Sequence, residues 1–221
     1  MKVAVVRFPG SNRDLDAYQS ARAAGHEACL VWHRSTDLEG ADVVILPGGF
    51  SYGDYLRPGA IARFSPVMRA VATHAEAGRP VLGICNGFQI RCEAHLLPGA
   101  LVRNAGLSFV ARMVTVRVES DATPFTAGYT VGQELRFPIA HGDGRYVADE
   151  TTLGRLEQED RVIFRYVHGN PNGATRDIAG ITNEGRNVVG LMPHPESATD
   201  ALVGSSDGAA MFALSPVPAL T

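Results

Sequence analysis

The chain is poor in cysteine and in charged residues, and each shortage excludes a class of protein. It has three cysteines among 221 residues, and neither a C-x-x-C pair nor a cysteine–histidine cluster with zinc spacing occurs in it. The sequence therefore supports neither a disulfide framework nor a structural metal site. Charged residues make up 19% of the chain, the formal net charge is -3, and no stretch is rich in lysine and arginine. Binding to a nucleic acid or to an anionic membrane is not expected.

Long apolar runs are also lacking. No stretch approaches the ~20 residues of a membrane span, and the apolar segment Val3–Val6 begins too close to the first residue to be a signal-peptide core. We therefore expect a cytoplasmic protein. Because 45% of the residues are hydrophobic, a chain of this length can bury one sizeable core, and we predict a single domain over residues 1–221.

The first half of the sequence alternates short apolar segments with helical patterns. Strands are predicted over 2–8, 27–32, 41–46 and 80–84, and helices over 12–24, 65–77 and 87–97. The turn Pro9–Asn12 is expected to provide the N-cap of the first helix. Such alternation is typical of an open α/β sheet whose parallel strands carry helices on both faces.

The pattern changes after Pro98 and Gly99. Apolar or alternating segments over 109–118, 135–140, 162–167 and 176–182 follow one another without intervening helices. They predict an antiparallel addition at one edge of the sheet. A last parallel-type strand over 187–192 and a final helix that runs to Leu214 complete the predicted fold.

Cys85 lies where a predicted strand meets a predicted helix. Its frame, Gly83-x-Cys85-x-Gly87, has the spacing of a nucleophile elbow, in which small neighbours allow a strained turn to lift one side chain clear of the sheet. The positive end of the following helix would stabilise a thiolate there. The alternative is a buried structural cysteine, which is how we interpret Cys29 and Cys92, because both lie in apolar patterns.

A histidine and a carboxylate follow the last parallel-type strand. In His194-Pro195-Glu196 the proline disfavours helix, and residues two apart in extended backbone face the same side, so the imidazole and the carboxylate are expected to lie together. A thiol nucleophile needs a base that takes its proton and a third group that orients the base. Cys85, His194 and Glu196 can supply these roles, whereas the alternative for a histidine between prolines is a rigid turn.

A glycine pair follows the neighbouring strand. Gly48 and Gly49 would let backbone N–H groups approach a tetrahedral oxyanion without obstruction, and the expected donors are the N–H groups of Gly49 and Asn86. A Pro-Gly-Gly turn is also ordinary structure after a strand. Its position adds weight, because ligands of open α/β sheets bind beyond the carboxyl ends of the strands, where the glycine pair, Cys85 and His194 should converge.

The stretches Gly-Ile-Cys-Asn-Gly-Phe-Gln at 83–89 and Pro-His-Pro-Glu at 193–196 resemble those of class I (triad) glutamine amidotransferases. Within that family, the chain resembles the glutaminase subunits of phosphoribosylformylglycinamidine synthase. The stretches that carry this resemblance are 8–12, 48–54, 138–144, 170–173 and 204–208. The resemblance covers essentially the whole chain, and Gly-Phe-Ser-Tyr-Gly-Asp is its most specific part. It implies a flavodoxin-like fold.

The resemblance also implies that the chain hydrolyses glutamine through a cysteinyl thioester. Cys85 would attack the side-chain amide carbon, the amides of Gly49 and Asn86 would hold the oxyanion, and His194 would protonate the departing ammonia and then activate water. Gln89 matches a position that helps to hold glutamine, and the loop with His141 and Gly142 matches one that closes over it. The complete set of implied substrate and oxyanion residues is Gly48, Gly49, Phe50, Asn86, Gln89, His141 and Gly142.

Ammonia has to reach its acceptor without escaping or becoming protonated, so the resemblance implies a partner. A large synthase subunit would use ATP and magnesium to convert formylglycinamide ribonucleotide to formylglycinamidine ribonucleotide in purine biosynthesis, and a small accessory subunit would be the third component. No Gly-x-x-x-x-Gly-Lys-Ser/Thr loop occurs in the sequence, so we assign no nucleotide to this chain.

Two positions depart from the family pattern. Arg13 stands where cysteine is common, and Ser197 stands where arginine is common. Two alternatives stay open. The chain could be a glutaminase that serves another synthase, such as a nucleotide or carbamoyl phosphate synthase. It could instead be a non-catalytic assembly subunit of the same fold or a binding protein of related architecture.

Overall fold

The computed structural model describes residues 1–214, and its centre is a mixed sheet of nine strands. Nine strands of this sheet and two of a separate pair occur in residues 1–214; in chain order they are β1 (Lys2–Arg7), β2 (Glu27–Trp32), β3 (Val43–Leu46), β4 (Val81–Ile84), β5 (Ala100–Val102), β6 (Val110–Val118), β7 (Glu134–His141), β8 (Arg145–Val147), β9 (Val162–Val167), β10 (Ile178–Thr182) and β11 (Val188–Leu191). The helices are α1 (Asp14–Ala23), α2 (Val67–Glu76), α3 (Asn86–Glu93), α4 (Glu150–Gln158) and α5 (Ala209–Ala213). The order across the sheet is β2-β1-β3-β4-β11-β10-β9-β6-β7, and β5 pairs with β8 separately.

Five neighbouring strands, β2, β1, β3, β4 and β11, run parallel. Every position of β3, β4 and β11 is buried, as expected where both faces of a sheet are covered. The chain crosses in one direction from β1 to β2 through α1, and in the other from β3 to β4 through α2. Right-handed crossovers therefore place these two helices on opposite faces. The order of β2, β1, β3 and β4 is that of flavodoxin-like sheets, so the predicted fold class is confirmed.

The other strands form the antiparallel part of the sheet. β10 pairs antiparallel with β11, and β9, β6 and β7 follow in the same manner. The predicted antiparallel addition at the sheet edge is therefore confirmed. β6 and β7 pair over eight positions, from Val110 opposite His141 to Arg117 opposite Glu134. This part also reaches the carboxyl ends of the parallel strands, because the His194 N–H donates to the carbonyl of Pro138 at 2.9 Å.

Helix α4 contradicts the prediction that no helix interrupts the antiparallel segments, since it lies between β8 and β9. Its periodicity is short and includes Gly154, which lowers helix propensity. The structure compensates with a cap and with burial. The carboxylate of Asp149 accepts a hydrogen bond from the Thr152 N–H at 2.8 Å, and Leu153 and Leu156 are buried.

The predicted N-cap of the first helix is also wrong. α1 begins after Arg13, whose side chain makes no capping hydrogen bond. Ser11 is engaged in the preceding turn instead, where its hydroxyl accepts from the Phe8 N–H at 3.0 Å. Asp14 and Asp16 lie in the first turn of α1 and place negative charge at the positive end of the helix.

Helix α3 is shorter than predicted. It ends at Glu93, and the backbone then leaves the helical region, because His95 has a φ of 58°. Among the helices of residues 1–214, none combines the length and the apolar character needed to cross a membrane.

Candidate active site

The parallel strands bring three predicted site segments to one edge of the sheet. β4 lies between β3 and β11 and pairs with both. Gly48 and Gly49 follow β3, Cys85 follows β4, and His194 follows β11. Because these strands are parallel, their carboxyl ends lie side by side. The structure therefore places the glycine pair, Cys85 and His194 at the same edge of the sheet, as the sequence predicts.

The turn between β4 and α3 holds Cys85 in a strained conformation. Cys85 has φ 50° and ψ -104°, and a residue with a side chain occupies such a region at a cost of about 1–3 kcal/mol. Its backbone is fixed on both sides. The Cys85 N–H donates to the carbonyl of Leu191 at 2.8 Å, and the Gln89 N–H donates to the carbonyl of Cys85 at 3.1 Å. Gly87 permits the close packing of this turn, since a Cβ atom there would lie 2.0 Å from the carbonyl oxygen of Leu46.

His194 and Glu196 form a buried pair after β11. Nδ1 of His194 donates to Oε1 of Glu196 at 2.6 Å, and both side chains are buried. The expected proximity is present, but the predicted extended backbone is wrong. Residues Pro195–Ser197 form a 3₁₀ turn with Pro195 in its first position. Proline is well accommodated there, because the first N–H of a helical turn needs no intrahelical acceptor.

The charges around His194 favour its protonated form. Burial alone lowers the pKa of the imidazole, but the negative charge of Glu196 and that of a Cys85 thiolate together raise this pKa above its ordinary value. His194 Nε2 is buried and has no hydrogen-bond partner within residues 1–214. The ring is therefore oriented by Glu196 through Nδ1 and keeps Nε2 for proton transfer.

The glycine pair lies against these groups. A Cβ atom on Gly48 would lie 2.7 Å from Cε1 of His194, so only glycine leaves room for the ring. Gly49 has φ 149° and pairs with Ser11 in an isolated bridge. The neighbouring Phe50 N–H donates to the carbonyl of Gly10 at 2.9 Å. The Asn86 N–H lies in the first turn of α3, where N–H groups have no intrahelical acceptor. Gly49 lines the same cavity as Cys85, and Asn86 follows Cys85 directly, so the segments of both expected oxyanion donors lie next to the thiol.

A cavity of about 130 Å³ opens beside the thiol. Its lining residues are Gly49, Phe50, Asp54, Pro58, Cys85, Gln89, Phe109, Ala140, His141, Gly142 and Asp143. Most of the predicted substrate residues line this cavity, whereas Gly48, Asn86, His194 and Glu196 are not among its lining residues. The rings of Phe50 and Phe109 are 6.5 Å apart and give the cavity an apolar side.

His141 is a neutral member of the cavity wall. Burial, and next the charge of His194, lower its pKa to about 4. Its Nδ1 lies 3.2 Å from Oδ1 of Asn104, and the Asn104 amide donates to the carbonyl of His141 at 2.9 Å. Nε2 of His141 is buried and lacks a hydrogen-bond partner in the described part of the chain. The imidazole can therefore offer this atom to a ligand.

The side chains of Asn86 and Gln89 hold the loops of the cavity together. Asn86 accepts from the Ser51 N–H at 3.1 Å and donates to Oε1 of Gln89 at 2.9 Å. Nε2 of Gln89 donates in turn to the carbonyl of Asp143 at 2.7 Å. Gln89 lines the cavity, but both ends of its amide already have protein partners. Its geometry favours a supporting role for the Asp143 loop.

Two cavity residues, Asp54 and Asp143, and one residue that supports the cavity wall, Asn104, were not predicted individually from the sequence. Asp54 closes the Gly-Phe-Ser-Tyr-Gly-Asp stretch, so a signal for it was present, and Asp143 lies two residues after His141. Asn104 had no local signal, because its contact with His141 joins residues 37 apart.

The two positions that depart from the family pattern are not among the residues that line the cavity. Arg13 pairs with Asp16 at 2.9 Å, and the Ser197 hydroxyl is buried without a hydrogen-bond partner in residues 1–214.

Comparison with known proteins agrees with this arrangement. The model of the CobB/CobQ-like glutamine amidotransferase domain matches residues 1–210. The chain belongs to this family. The resemblance that the cysteine and histidine motifs indicated is therefore confirmed, and the chain is a glutamine amidotransferase.

Individual relatives of this amidotransferase chain cover nearly its whole length. The phosphoribosylformylglycinamidine synthase subunit PurQ of Rubrobacter xylanophilus is 61% identical over 208 residues, which are 94% of each chain. The subunit of the same name from Frankia casuarinae is 58% identical and covers 96% of this chain and 91% of its own. The structure of PurLQS from Thermotoga maritima contains a chain with a TM-score of 0.88, 45% identity, and coverage of 96% of this chain and 95% of that one.

Proposed function

We propose that this chain is the glutaminase subunit of a phosphoribosylformylglycinamidine synthase, which hydrolyses glutamine and delivers the ammonia to a synthase subunit. The observation that carries the proposal is the placement of Cys85, which lines the cavity, and of the buried His194–Glu196 pair at the ends of the adjacent strands β4 and β11. The near full-length identity to subunits named PurQ supports the choice of acceptor. We further propose that residues 1–221 form one amidotransferase domain.

The reaction begins with the Cys85 thiolate and the His194 imidazolium. The sulfur attacks the side-chain amide carbon of glutamine, and the amides of Gly49 and Asn86 stabilise the oxyanion. The C–N bond then breaks as His194 gives its proton to the leaving nitrogen, which departs as ammonia and leaves a γ-glutamyl thioester. Glu196 keeps the imidazole oriented throughout.

Water completes the cycle. His194 takes a proton from a water molecule, and the resulting hydroxide attacks the thioester carbon. The C–S bond breaks, the thiolate is restored beside the imidazolium, and the new γ-carboxyl group gives its proton to the solvent as glutamate leaves. The cavity holds the substrate between the ring of Phe50 and the loop of His141 and Gly142, with Gly48 leaving room for the catalytic histidine.

The ammonia requires an acceptor on another chain. We propose a large synthase subunit, which holds ATP and magnesium and converts formylglycinamide ribonucleotide to formylglycinamidine ribonucleotide, together with a small accessory subunit. The PurLQS structure from Thermotoga maritima supports such an assembly. We also propose a cytoplasmic location, which agrees with three free cysteines, because unpaired thiols are typical of reducing compartments.

A paired assay of the copurified complex tests this function. Cys85→Ala is expected to abolish glutamine-dependent synthesis, while synthesis from added ammonia continues at the wild-type rate, because the acceptor site lies on the partner. Cys29→Ala is the matched control and should leave both activities unchanged, since Cys29 lies on β2 away from the cavity. Loss of both activities in Cys85→Ala, or retention of glutamine-dependent synthesis, would contradict the proposal.

A further inference from the structure

We propose that Asp54, assisted by Asp143, binds the α-ammonium group of the substrate and so selects glutamine over amides that lack this group. The inference rests on the proposed glutaminase function and assigns a role to the two carboxylates of the catalytic cavity. Both line it together with Cys85.

Asp54 reaches the cavity because of an unusual turn after the glycine pair. Tyr52 has φ 55° and ψ 29°, Gly53 has φ 67° and ψ 21°, and Asp54 has a φ of 55°. Gly53 adopts this conformation readily, but for Tyr52 and Asp54 a positive φ is costly and persists only where the surroundings fix it. The Tyr52 hydroxyl lies 2.7 Å from Nδ1 of His33 and 2.9 Å from the hydroxyl of Ser65.

The same turn is tied to the nucleophile. The Tyr52 N–H donates to the carbonyl of Pro9 at 2.7 Å, and the Ser51 N–H donates to the side chain of Asn86, the residue after Cys85. These hydrogen bonds therefore fix the position of Asp54 relative to the thiol of Cys85. Asp143 is held as well, because its carbonyl accepts from Gln89 on α3.

The cavity carboxylates have no cationic partner within residues 1–214. Oδ1 of Asp54 is buried without a hydrogen bond, and neither aspartate takes part in an ion pair among the described residues. Arg57, three residues after Asp54, is engaged by Glu93 through two hydrogen bonds of 2.6 and 2.7 Å. Burial and then repulsion by Asp143 raise the pKa of Asp54 to about 6, as expected for a carboxylate that lacks its counter-ion.

Glutamine supplies what the cavity lacks. Its α-ammonium group is a compact cation with three N–H donors, and its methylene groups fit the apolar side formed by Phe50 and Phe109. Nε2 of His141 is a second unpartnered polar atom of the cavity, and it comes from a side chain that is only 3% exposed. An ammonium bound between Asp54 and Asp143 would leave the other end of the substrate for Cys85.

The test compares glutamine with 4-carbamoylbutanoate, which is glutamine without its amino group, as substrates of the copurified complex. Wild type is expected to prefer glutamine by about 10- to 100-fold in kcat/KM, which is the strength of a charge-assisted hydrogen bond. Asp54→Asn should reduce this preference to about 3-fold or less, mainly by raising the KM for glutamine. Asp143→Asn should reduce it in part, and Asp121→Asn, an exposed control, should leave it unchanged.

A second measurement separates binding from damage to the site. Alkylation of Cys85 by iodoacetamide, which carries no amino group, should proceed equally in wild type and in Asp54→Asn. Alkylation by 6-diazo-5-oxonorleucine, a reactive analogue with the α-ammonium group, should slow by about 10-fold or more in the variant.

An unchanged preference for glutamine in an active Asp54→Asn complex would overturn the inference and leave the proposed function intact. Equal slowing of both alkylating agents would also overturn it, since that result indicates a structural role. Absence of glutamine hydrolysis by the wild-type complex would instead refute the proposed function, and the assignment of Asp54 with it.

Discussion

Replacing Asp54 with asparagine should stabilise the folded chain at neutral and alkaline pH, although it weakens substrate binding. The folded state binds the Asp54 proton more tightly than the unfolded chain does, because the pKa rises from 3.8 to about 6 on folding. Stability from this group is therefore present at low pH and is lost as the pH rises through about 6. By linkage, the ionised carboxylate costs at most about 3 kcal/mol at pH 8.

Water that enters the cavity screens the charge, so the net gain from Asp54→Asn at pH 8 should be about 1–2 kcal/mol. For a chain of this size, the melting temperature should rise by about 3–6 °C. At pH 5 Asp54 is largely protonated in the folded state, and about half of the gain should remain. Urea titrations of the variant and of wild type at the two pH values measure both quantities.

Asp121→Asn is the matched control for this measurement, since Asp121 is exposed, lies in a loop and is not among the residues that line the cavity. It should change the free energy of unfolding by less than about 0.5 kcal/mol at either pH. A destabilised Asp54→Asn variant, or a gain that does not grow between pH 5 and pH 8, would refute the reasoning. Either result would mean that Asp54 has a stabilising partner.

Two further predictions concern the elbow and the histidine. Glu196→Gln should lower glutamine-dependent kcat by about 10²- to 10⁴-fold without loss of the fold, because the imidazole loses its charged partner. Steady-state kinetics measure the loss of activity, and circular dichroism checks the fold. Activity within 3-fold of wild type would count against this prediction. Gly87→Ala should lower the free energy of unfolding, measured by urea titration, by about 3 kcal/mol, because the new Cβ would clash with the carbonyl of Leu46. The control Gly154→Ala, which has open space around it, should raise the free energy of unfolding by about 0.5–1 kcal/mol. Equal effects of the two alanines would refute the packing argument.

The sequence predicted the parallel part of the fold because its signals are local. β3, β4 and β11 are short apolar runs that end in Pro-Gly-Gly, Gly-x-Cys-x-Gly and Pro-His-Pro-Glu, and the rule for parallel sheets then brings their ends together. Helix α4 was missed because its stability comes from the cap at Asp149 and from the burial of Leu153 and Leu156. Neither a capping residue nor two buried leucines produce a long periodic pattern in the sequence.

A site residue could be proposed from the sequence only where its neighbours in the chain carry a recognisable motif. Cys85, His194 and Glu196 lie in such motifs. The inward position of Asp54 depends on contacts of Tyr52 with residues from two other segments, and the support of His141 by Asn104 joins positions 37 apart in the chain. Such contacts are set by tertiary packing, which periodicity and turn signals do not encode.

The central claim is that the side-chain amide of glutamine is cleaved through a γ-glutamyl thioester on Cys85. Detection of this covalent intermediate is the most direct test of the claim. The wild-type complex is mixed with glutamine, quenched in acid within the first turnover, digested and analysed by mass spectrometry. We predict one γ-glutamyl group on the peptide that contains Cys85, and its absence in the Cys85→Ala complex. A γ-glutamyl group on another residue, or ammonia release in the first turnover without any acylated peptide, would contradict the account.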